Sequence, residues 1–403
     1  MQKSGLVKSS FVAAWLVASG LMFAAPAPIQ RGPLKRGTPP PAAAQKPTAP
    51  KPAAQKPAVQ KPVAQKPTVQ KPANPKPAQP KAAHVKRPTP PKTAPKTTHV
   101  HAKKPPLARP VPQQPASYVP RAPYRGAIAV DADTGRILFS DNMRTPGYPA
   151  SITKLMTFLL VLEDIQSGLY GFDSRAVASP LAASMEPSSV GLRPGQSMTI
   201  HDRLLSIMVK SANDAAETLA EHSARVHRRR RGAPAEDAAP EELCAEFVAR
   251  MNRRAKELGM RDTRYASPNG LPPPRGSRRG FDVSTAADLV ELGKVLVRMP
   301  KALAYTSCPS CTVTDGSGKP LTLVSHNYFI SKNPDPKHLC TPLPECDGLK
   351  TGFTAVSGSS IMLTAHRNGR RVIVVVLGSA GRHEREAAAG HILRDSLDAI
   401  SIW

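Results

Sequence analysis

No Asp or Glu occurs before Asp131, and between Pro26 and Tyr124 the chain is Pro, Ala and Lys with almost no large apolar residues. That stretch confines any folded domain to the residues after it. Lysine returns every fifth position at Lys46, Lys51, Lys56, Lys61, Lys66, Lys71, Lys76 and Lys81, mostly as Gln-Lys-Pro. Such a segment cannot bury enough apolar surface to repay its ordering entropy, so residues 28–124 are expected to be a disordered spacer, extended by its prolines. A sharper alternative is a polycationic strap for an anionic envelope polymer. Nucleic acid does not fit as a partner, because no aromatic residues interleave the lysines. Of the 56 Lys and Arg, 22 lie at or before Arg125, which leaves the body only mildly basic.

Residues 1–27 read as an export signal. Lys3 and Lys8 supply the positive start, and Phe11 to Ala25 is a largely apolar run ending in small residues. At 15 residues it is short of the roughly 20 that a membrane span needs. Pro26 and Pro28 crowd the cleavage site, so an uncleaved inner-membrane anchor is the alternative to a released periplasmic or envelope protein.

The body, 125–403, is long enough for one substantial core or two lobes. AIAV, DADTG and RILFS predict a hairpin, and SSIMLTAH and RVIVVVLG predict another around Asn368-Gly369. Between them, apolar residues at Ile152, Leu155, Met156, Leu159, Leu162 and Ile165 predict a buried helix starting near Ser151. Thr199 to Asp202 resembles a capping box before RLLSIMV. Further helices are expected from Asp214 to about Ala224, through LCAEFVARMNRRAKEL and STAADLVELGKVLV, and from about Glu384 to Ser401. VHRRRRGAPAEDAAPEE is expected to be a charged loop. Strand pairs at both ends of the body imply one sheet built from the two termini of the domain, with a helical lobe inserted. Cys308, Cys311, Cys340 and Cys346 suggest one or two disulfides, with a zinc site as the rival; Cys244 falls on the apolar face of its helix.

The chemistry lies in three short strings. Ser151 and Lys154 are one turn apart, so they share a helix face. A serine hydroxyl needs a base to become a nucleophile, and a lysine serves if desolvation and a nearby cation lower its proton affinity. Ser211-Ala-Asn213 follows one helix and precedes the next, and Lys350-Thr351-Gly352 stands just before the terminal strands. Without a Gly-x-Ser-x-Gly elbow, a histidine triad has little support. His383-Glu384 lacks the second histidine of a zincin, since Ala387 stands there, so a metalloprotease has little support.

In this order and context the strings resemble the penicillin-recognising serine enzymes, and among them the low-molecular-mass D-Ala-D-Ala carboxypeptidases. VDADTGRILFSDN, PASITKLMT, LRPGQSMTIHDRLLSIMVKSANDAA, SPNGL and DGLKTGFT extend the resemblance from about Arg125 to Trp403. It implies an α/β (α+β) fold, an antiparallel sheet flanked by helices with a helical lobe beside it. It implies an acyl-enzyme on Ser151 without metal or organic cofactor, with Lys154 as base, Ser211 as proton relay and Asn213 as orienting group. The N–H groups of Ser151 and Phe353 would form the oxyanion hole, and Lys350, Thr351, Gly352 and Arg385 would bind substrate. Peptidoglycan stem peptides are the implied partners and β-lactams the implied covalent inhibitors. DD-endopeptidase cleavage of cross-links uses the same strings, and an idle wall-binding or β-lactam-sensing module is a third reading. A class A β-lactamase fits less well, because no downstream Glu-x-x-x-Asn supplies a deacylating glutamate. Stretches near Val226–Pro240, Pro272–Gly280 and Cys308–Cys346 read as insertions, and Phe353 occupies a position that is polar in certain members.

Overall fold

Apolar runs near both ends of the body pair into one five-stranded antiparallel sheet in the computed structural model, which describes residues 123–331 and 341–401. Its first strands are β1 (Gly126–Asp131) and β2 (Ile137–Asp141). A short 3-10 turn at Ala150–Thr153 then leads into α1 (Lys154–Gln166). The helical part follows with β3 (Arg175–Val177), α2 (Pro180–Ala183), β4 (Ser197–Thr199), α3 (Ile200–Leu205), α4 (Asn213–Arg230), α5 (Pro240–Glu257), α6 (Ala286–Leu296) and α7 (Pro300–Thr306). The chain closes with the hairpin β5 (Ser310–Thr314) and β6 (Pro320–Val324), then β7 (Cys346–Thr354), β8 (Gly358–Arg367), β9 (Arg370–Ser379) and α8 (Arg382–Ser401).

The strand order is β2-β1-β9-β8-β7, so β9 crosses back to pair with β1 and joins the two ends of the domain. β7, which carries Lys350, Thr351 and Gly352, is left at the edge with one backbone side unpaired by the sheet. α8 packs its Ala389, Leu393, Leu397 and Ile400 on one sheet face. On the other face α6 and α1 lead into the helical lobe, whose core includes Phe158, Leu219, Phe247 and Met251. The β8–β9 turn uses Asn368 and Gly369, both at positive φ, as the Asn-Gly pair predicts.

The architecture read from the sequence stands: the strand pairs, the inserted helices and the Thr199 cap, which accepts from Asp202 N–H at 3.0 Å. The arginine run is the main difference. α4 continues to Arg230 instead of breaking near Ala224, because its arginines pair with acids beyond the turn: Arg228 with Glu242 and Glu246, and Arg229 with Glu236, while Arg231 just past its end pairs with Glu246. The helix expected to start near Ser151 begins at Lys154, and Ser151 sits inside the preceding 3-10 turn, two residues before Thr153, the N-cap of α1. Cys308 and Cys311 are adjacent thiols rather than a disulfide, the Cys311 thiol pushed up to about 12 by burial and by its neighbour. Cys340, the leader and the Lys-rich spacer lie outside the described residues. Among the described residues no helix is long and apolar enough to cross a membrane.

Candidate active site

Three segments far apart in sequence converge on the start of α1. The 3-10 turn presents Ser151, and Lys154, the first residue of α1, is completely buried. Lys154 Nζ lies 3.0 Å from Ser151 Oγ, and it donates to Asn213 Oδ1 at 2.6 Å and to the Asn269 carbonyl at 2.7 Å. No carboxylate among the described residues bonds to it. Burial first, and then the Lys350 cation, push its proton affinity well below that of an ordinary lysine; Asp282, Asp214 and Glu217 pull more weakly the other way.

Asn213 reaches this point because the chain before it is bent. α3 passes into a π-helical turn at Ser206–Lys210, which ends at Ser211 in the left-handed region, φ 64°. A non-glycine residue there is strained, and π turns of this kind concentrate at functional sites. The bend starts α4 at Asn213, so that its side chain faces Lys154. Ser211 is buried beside it but makes no hydrogen bond to Lys154.

β7 brings the third segment. Lys350 is buried and its Nζ donates to the Thr351 carbonyl at 3.0 Å. Desolvation, then the Arg385 charge, push its ammonium down to about 7. Gly352 answers a close approach: a Cβ there would stand 2.6 Å from the Pro149 carbonyl and 3.2 Å from Ser151 N. Only glycine lets the edge strand pass this near the turn that presents Ser151. Phe353 follows, 64% exposed. Arg385, on the first turn of α8, is buried near Lys350, and its guanidinium donates to Glu386 at 2.7 Å.

The structure therefore brings together Ser151, Lys154, Asn213, Lys350, Thr351 and Gly352, with Ser211 beside them and Arg385 behind Lys350. It also shows groups that the sequence reading left without a role. Asn269 belongs to the loop SPNGL, pinned by Thr157 Oγ1, which donates to Pro268 O at 2.6 Å, and by Asp282, which accepts from Ala266 N, Ser267 N and Ser267 Oγ. Gly270 in that loop has φ +84°, and a Cβ there would fall 1.9 Å from the Ala150 carbonyl. Glu217 accepts from Asn269 Nδ2 at 2.8 Å. His326, open to solvent on one side, is pushed down to about 4 by partial loss of its water shell and by Lys350, Lys210, Arg382 and Arg385. SPNGL was visible as a phrase; Glu217 was visible only as a residue one turn beyond Asn213, and nothing in the sequence pointed to His326.

The family model described as D-alanyl-D-alanine carboxypeptidase matches residues 115–228 and 235–381. D-alanyl-D-alanine carboxypeptidase DacF of Bacillus subtilis is 30% identical over 269 residues, 67% of this chain and 61% of that protein. The chain thus spans less than two thirds of that relative's length. A D-alanyl-D-alanine endopeptidase of Pseudomonas aeruginosa is 29% identical over 66% of this chain and 75% of its own. Among solved structures, penicillin-binding protein D2 of Listeria monocytogenes in its ampicillin-bound form is 29% identical with a TM-score of 0.53, covering 68% of this chain and 98% of that one.

Proposed function

The chain belongs to the D-alanyl-D-alanine carboxypeptidase family, and we propose that it is an exported serine carboxypeptidase that trims peptidoglycan stem peptides after the penultimate D-alanine. One observation carries this reading: a fully buried lysine, without a carboxylate partner among the described residues and faced by a second lysine, lies 3.0 Å from a serine hydroxyl. Such a lysine gives up its proton far more readily than an exposed one, which suits it to act as a base.

In the proposed reaction Ser151 Oγ attacks the carbonyl carbon of the penultimate D-alanine while Lys154 Nζ takes the hydroxyl proton. The oxyanion that forms accepts from the backbone N–H groups of Ser151 and Phe353, which the glycine at 352 allows to lie close together. Asn213 keeps Lys154 oriented. As the C–N bond breaks, the proton passes from Lys154 by way of Ser211 to the leaving D-alanine nitrogen. Water, deprotonated by the same lysine, then hydrolyses the ester and restores Ser151. Lys350, Thr351 and Arg385 hold the terminal carboxylate of the substrate, and the open edge of β7 offers its backbone to the peptide.

A β-lactam presents its amide to the same serine, and the ampicillin complex of the Listeria relative supports inhibition by that route. Endopeptidase cleavage of cross-links is the second reading, favoured by the name of the Pseudomonas relative. The leader directs export, the body from 125 onward is the catalytic domain, and the cationic spacer adds reach and attraction toward an anionic envelope polymer. The test is mass spectrometry after incubation with penicillin and, separately, with a diacyl-L-Lys-D-Ala-D-Ala peptide and a cross-linked dimer. Acyl adduct on Ser151 with release of D-alanine from the peptide is the expected result. Labelling of another serine, or cleavage of the dimer alone, would overturn the carboxypeptidase reading.

A further inference from the structure

Glu217 lies one helical turn beyond Asn213 on α4, so the two side chains share a face. Its carboxyl group is buried, yet it is well bonded. Asn269 Nδ2 donates to it at 2.8 Å, and the Cys244 thiol on α5 is a second partner. On its other side Asn269 is fixed as well: its Oδ1 accepts from Leu271 N–H at 2.9 Å. Turning the Asn269 amide over would set its NH₂ against the Leu271 N–H and its oxygen against the carboxylate, so only one orientation is stable. The backbone carbonyl of this same residue receives Lys154 Nζ. A buried carboxyl group, its proton affinity raised by desolvation against the pull of Cys244, Arg279, Asn269 and Lys154, therefore stands behind the proposed base with a single, fully constrained residue between them.

We infer that Glu217 is a positioning residue for Lys154: through Asn269 it aims the carbonyl that receives the lysine, and its negative charge tempers how easily the lysine loses its proton. The inference rests on the reading of Lys154 as the base for Ser151. A base must be neutral before the reaction and yet hold the proton well during it, and an anion at one remove serves the second need without forming an ion pair that would defeat the first. The charged groups facing Lys154 are Lys350 from β7, Asp282 from the loop before α6, and Asp214 and Glu217 from α4. Asp214 is taken up by the N–H groups of Val190, Leu192 and Ala215, and Asp282 by those of Ala266 and Ser267. Of the three anions only Glu217 bonds through its side chain to a residue that itself bonds to Lys154. Glu217 is in turn faced by Arg279, Lys154 and Glu221. It also lines a cavity of about 640 Å³ with Met185, Cys244, Tyr265 and Leu271, so a changed side chain has room without moving the main core.

The test compares Glu217→Gln and Glu217→Ala with the wild-type protein by two independent readouts. The first is an NMR titration of ε-13C-labelled lysine, with the Lys154 signal assigned from its loss in Lys154→Met. The second is the pH profile of acylation by penicillin. Glutamine keeps the bond to Asn269 and removes the charge, so the Lys154 midpoint should fall by about half to one pH unit, and the acidic limb of acylation should fall with it. At the optimum Glu217→Gln should stay within about threefold of wild type, whereas Glu217→Ala, which frees Asn269, should lose about tenfold or more. An unmoved Lys154 midpoint in Glu217→Gln would overturn the inference, and so would equal losses in both variants without a shift in either. A midpoint that moves while the acylation profile stays in place would instead fault Lys154 as the base.

Discussion

Helix α1 buries a charge at each end, Lys154 at its first residue and Asp164 three residues before the C-cap Ser167, and the protein treats the two in opposite ways. Asp164 is surrounded by donors. Arg250 donates at 2.7 Å, His227 Nε2 lies at 2.8 Å, Tyr170 donates at 2.9 Å, and Ser223 completes the set. Against the desolvation that burial imposes, Arg250 and these hydrogen bonds hold its carboxyl below the usual range. Lys154 is just as buried but receives neutral oxygens and a neighbouring cation. One end is a satisfied ion cluster that ties α1, α4 and α5 together. The other is an amine with no carboxylate partner among the described residues, at a cost in stability that makes sense only if the neutral amine is used.

The contrast is broken most sharply by removing each charge. Lys154→Ala is expected to lower penicillin acylation at pH 7 by about three orders of magnitude or more, since base removal exposes the whole barrier that the lysine relieves. The variant should still fold, because relief of the desolvated amine offsets part of the cost of the lost bonds to Asn213 and Asn269. Near-normal acylation in a folded variant would strip Lys154 of the role of base. Arg250→Ala should do the reverse. Leaving Asp164 without its cation is expected to cost about 3–5 kcal/mol in urea unfolding, while acylation per folded molecule stays near wild type. If stability is unchanged, the Asp164 cluster is not the clamp described.

A smaller effect separates substrate recognition from either end. Arg385→Ala should slow turnover of a peptide ending in a free carboxylate by about one to two orders of magnitude, the value of a charge-assisted hydrogen bond. The C-terminal amide of that peptide should be affected far less, because it never used the charge. Equal losses on both would assign Arg385 to holding Glu386 and the start of α8. Loss on neither would move the role to Arg382, which lies over the Tyr328 ring.

How much of this was legible depended on whether the information was local. Ser151 and Lys154 are three positions apart, and the Lys350 string is contiguous; such spacing survives without knowledge of the fold. The hairpin at Asn368-Gly369 was equally plain, since few other pairs tolerate two positive φ values. The continuation of α4 through its arginines was not, because the acids that make those arginines helical lie beyond a turn, on α5 and in the loop before it. The Glu217–Asn269 bond joins positions 52 apart, and the Asp164–Arg250 bond joins positions 86 apart. Both are long-range pairings of buried polar groups, which periodicity treats as interruptions of an apolar face. A sequence shows which residues are chemically able to act; it does not show which buried charges have been given partners.

The two kinds of buried charge also set stability in different pH ranges. Lys350 titrates at about 7 in the folded protein, driven there by burial and then by Arg385. A lysine in the unfolded chain titrates near 10.4. Between those values the unfolded chain binds a proton that the folded one does not, so stability rises with pH from about 7 toward about 10. Lys154, shifted in the same direction, adds to that rise. Asp164 acts in a different window. Its carboxyl is held below the unfolded value, so its contribution is complete above about pH 4 and is lost as pH falls through the folded pKa. Across pH 7 to 9, then, the lysines should raise the curve, opposed toward pH 9 by the partly buried Cys244 and Cys311 thiols that stay protonated only in the fold, and the aspartate should contribute none. Each lysine can supply at most about 1.4 kcal/mol per pH unit, and solvent relaxation around a buried amine will reduce that. Urea unfolding of wild type, Lys350→Met and Arg250→Ala at half-unit steps measures it. Lys350→Met should flatten the slope between pH 7 and 9, while Arg250→Ala should lower the whole curve and leave its slope alone. A wild-type curve already flat over that interval would mean that Lys350 keeps its proton, and the electrostatic account of the lysine end of the site would fail with it.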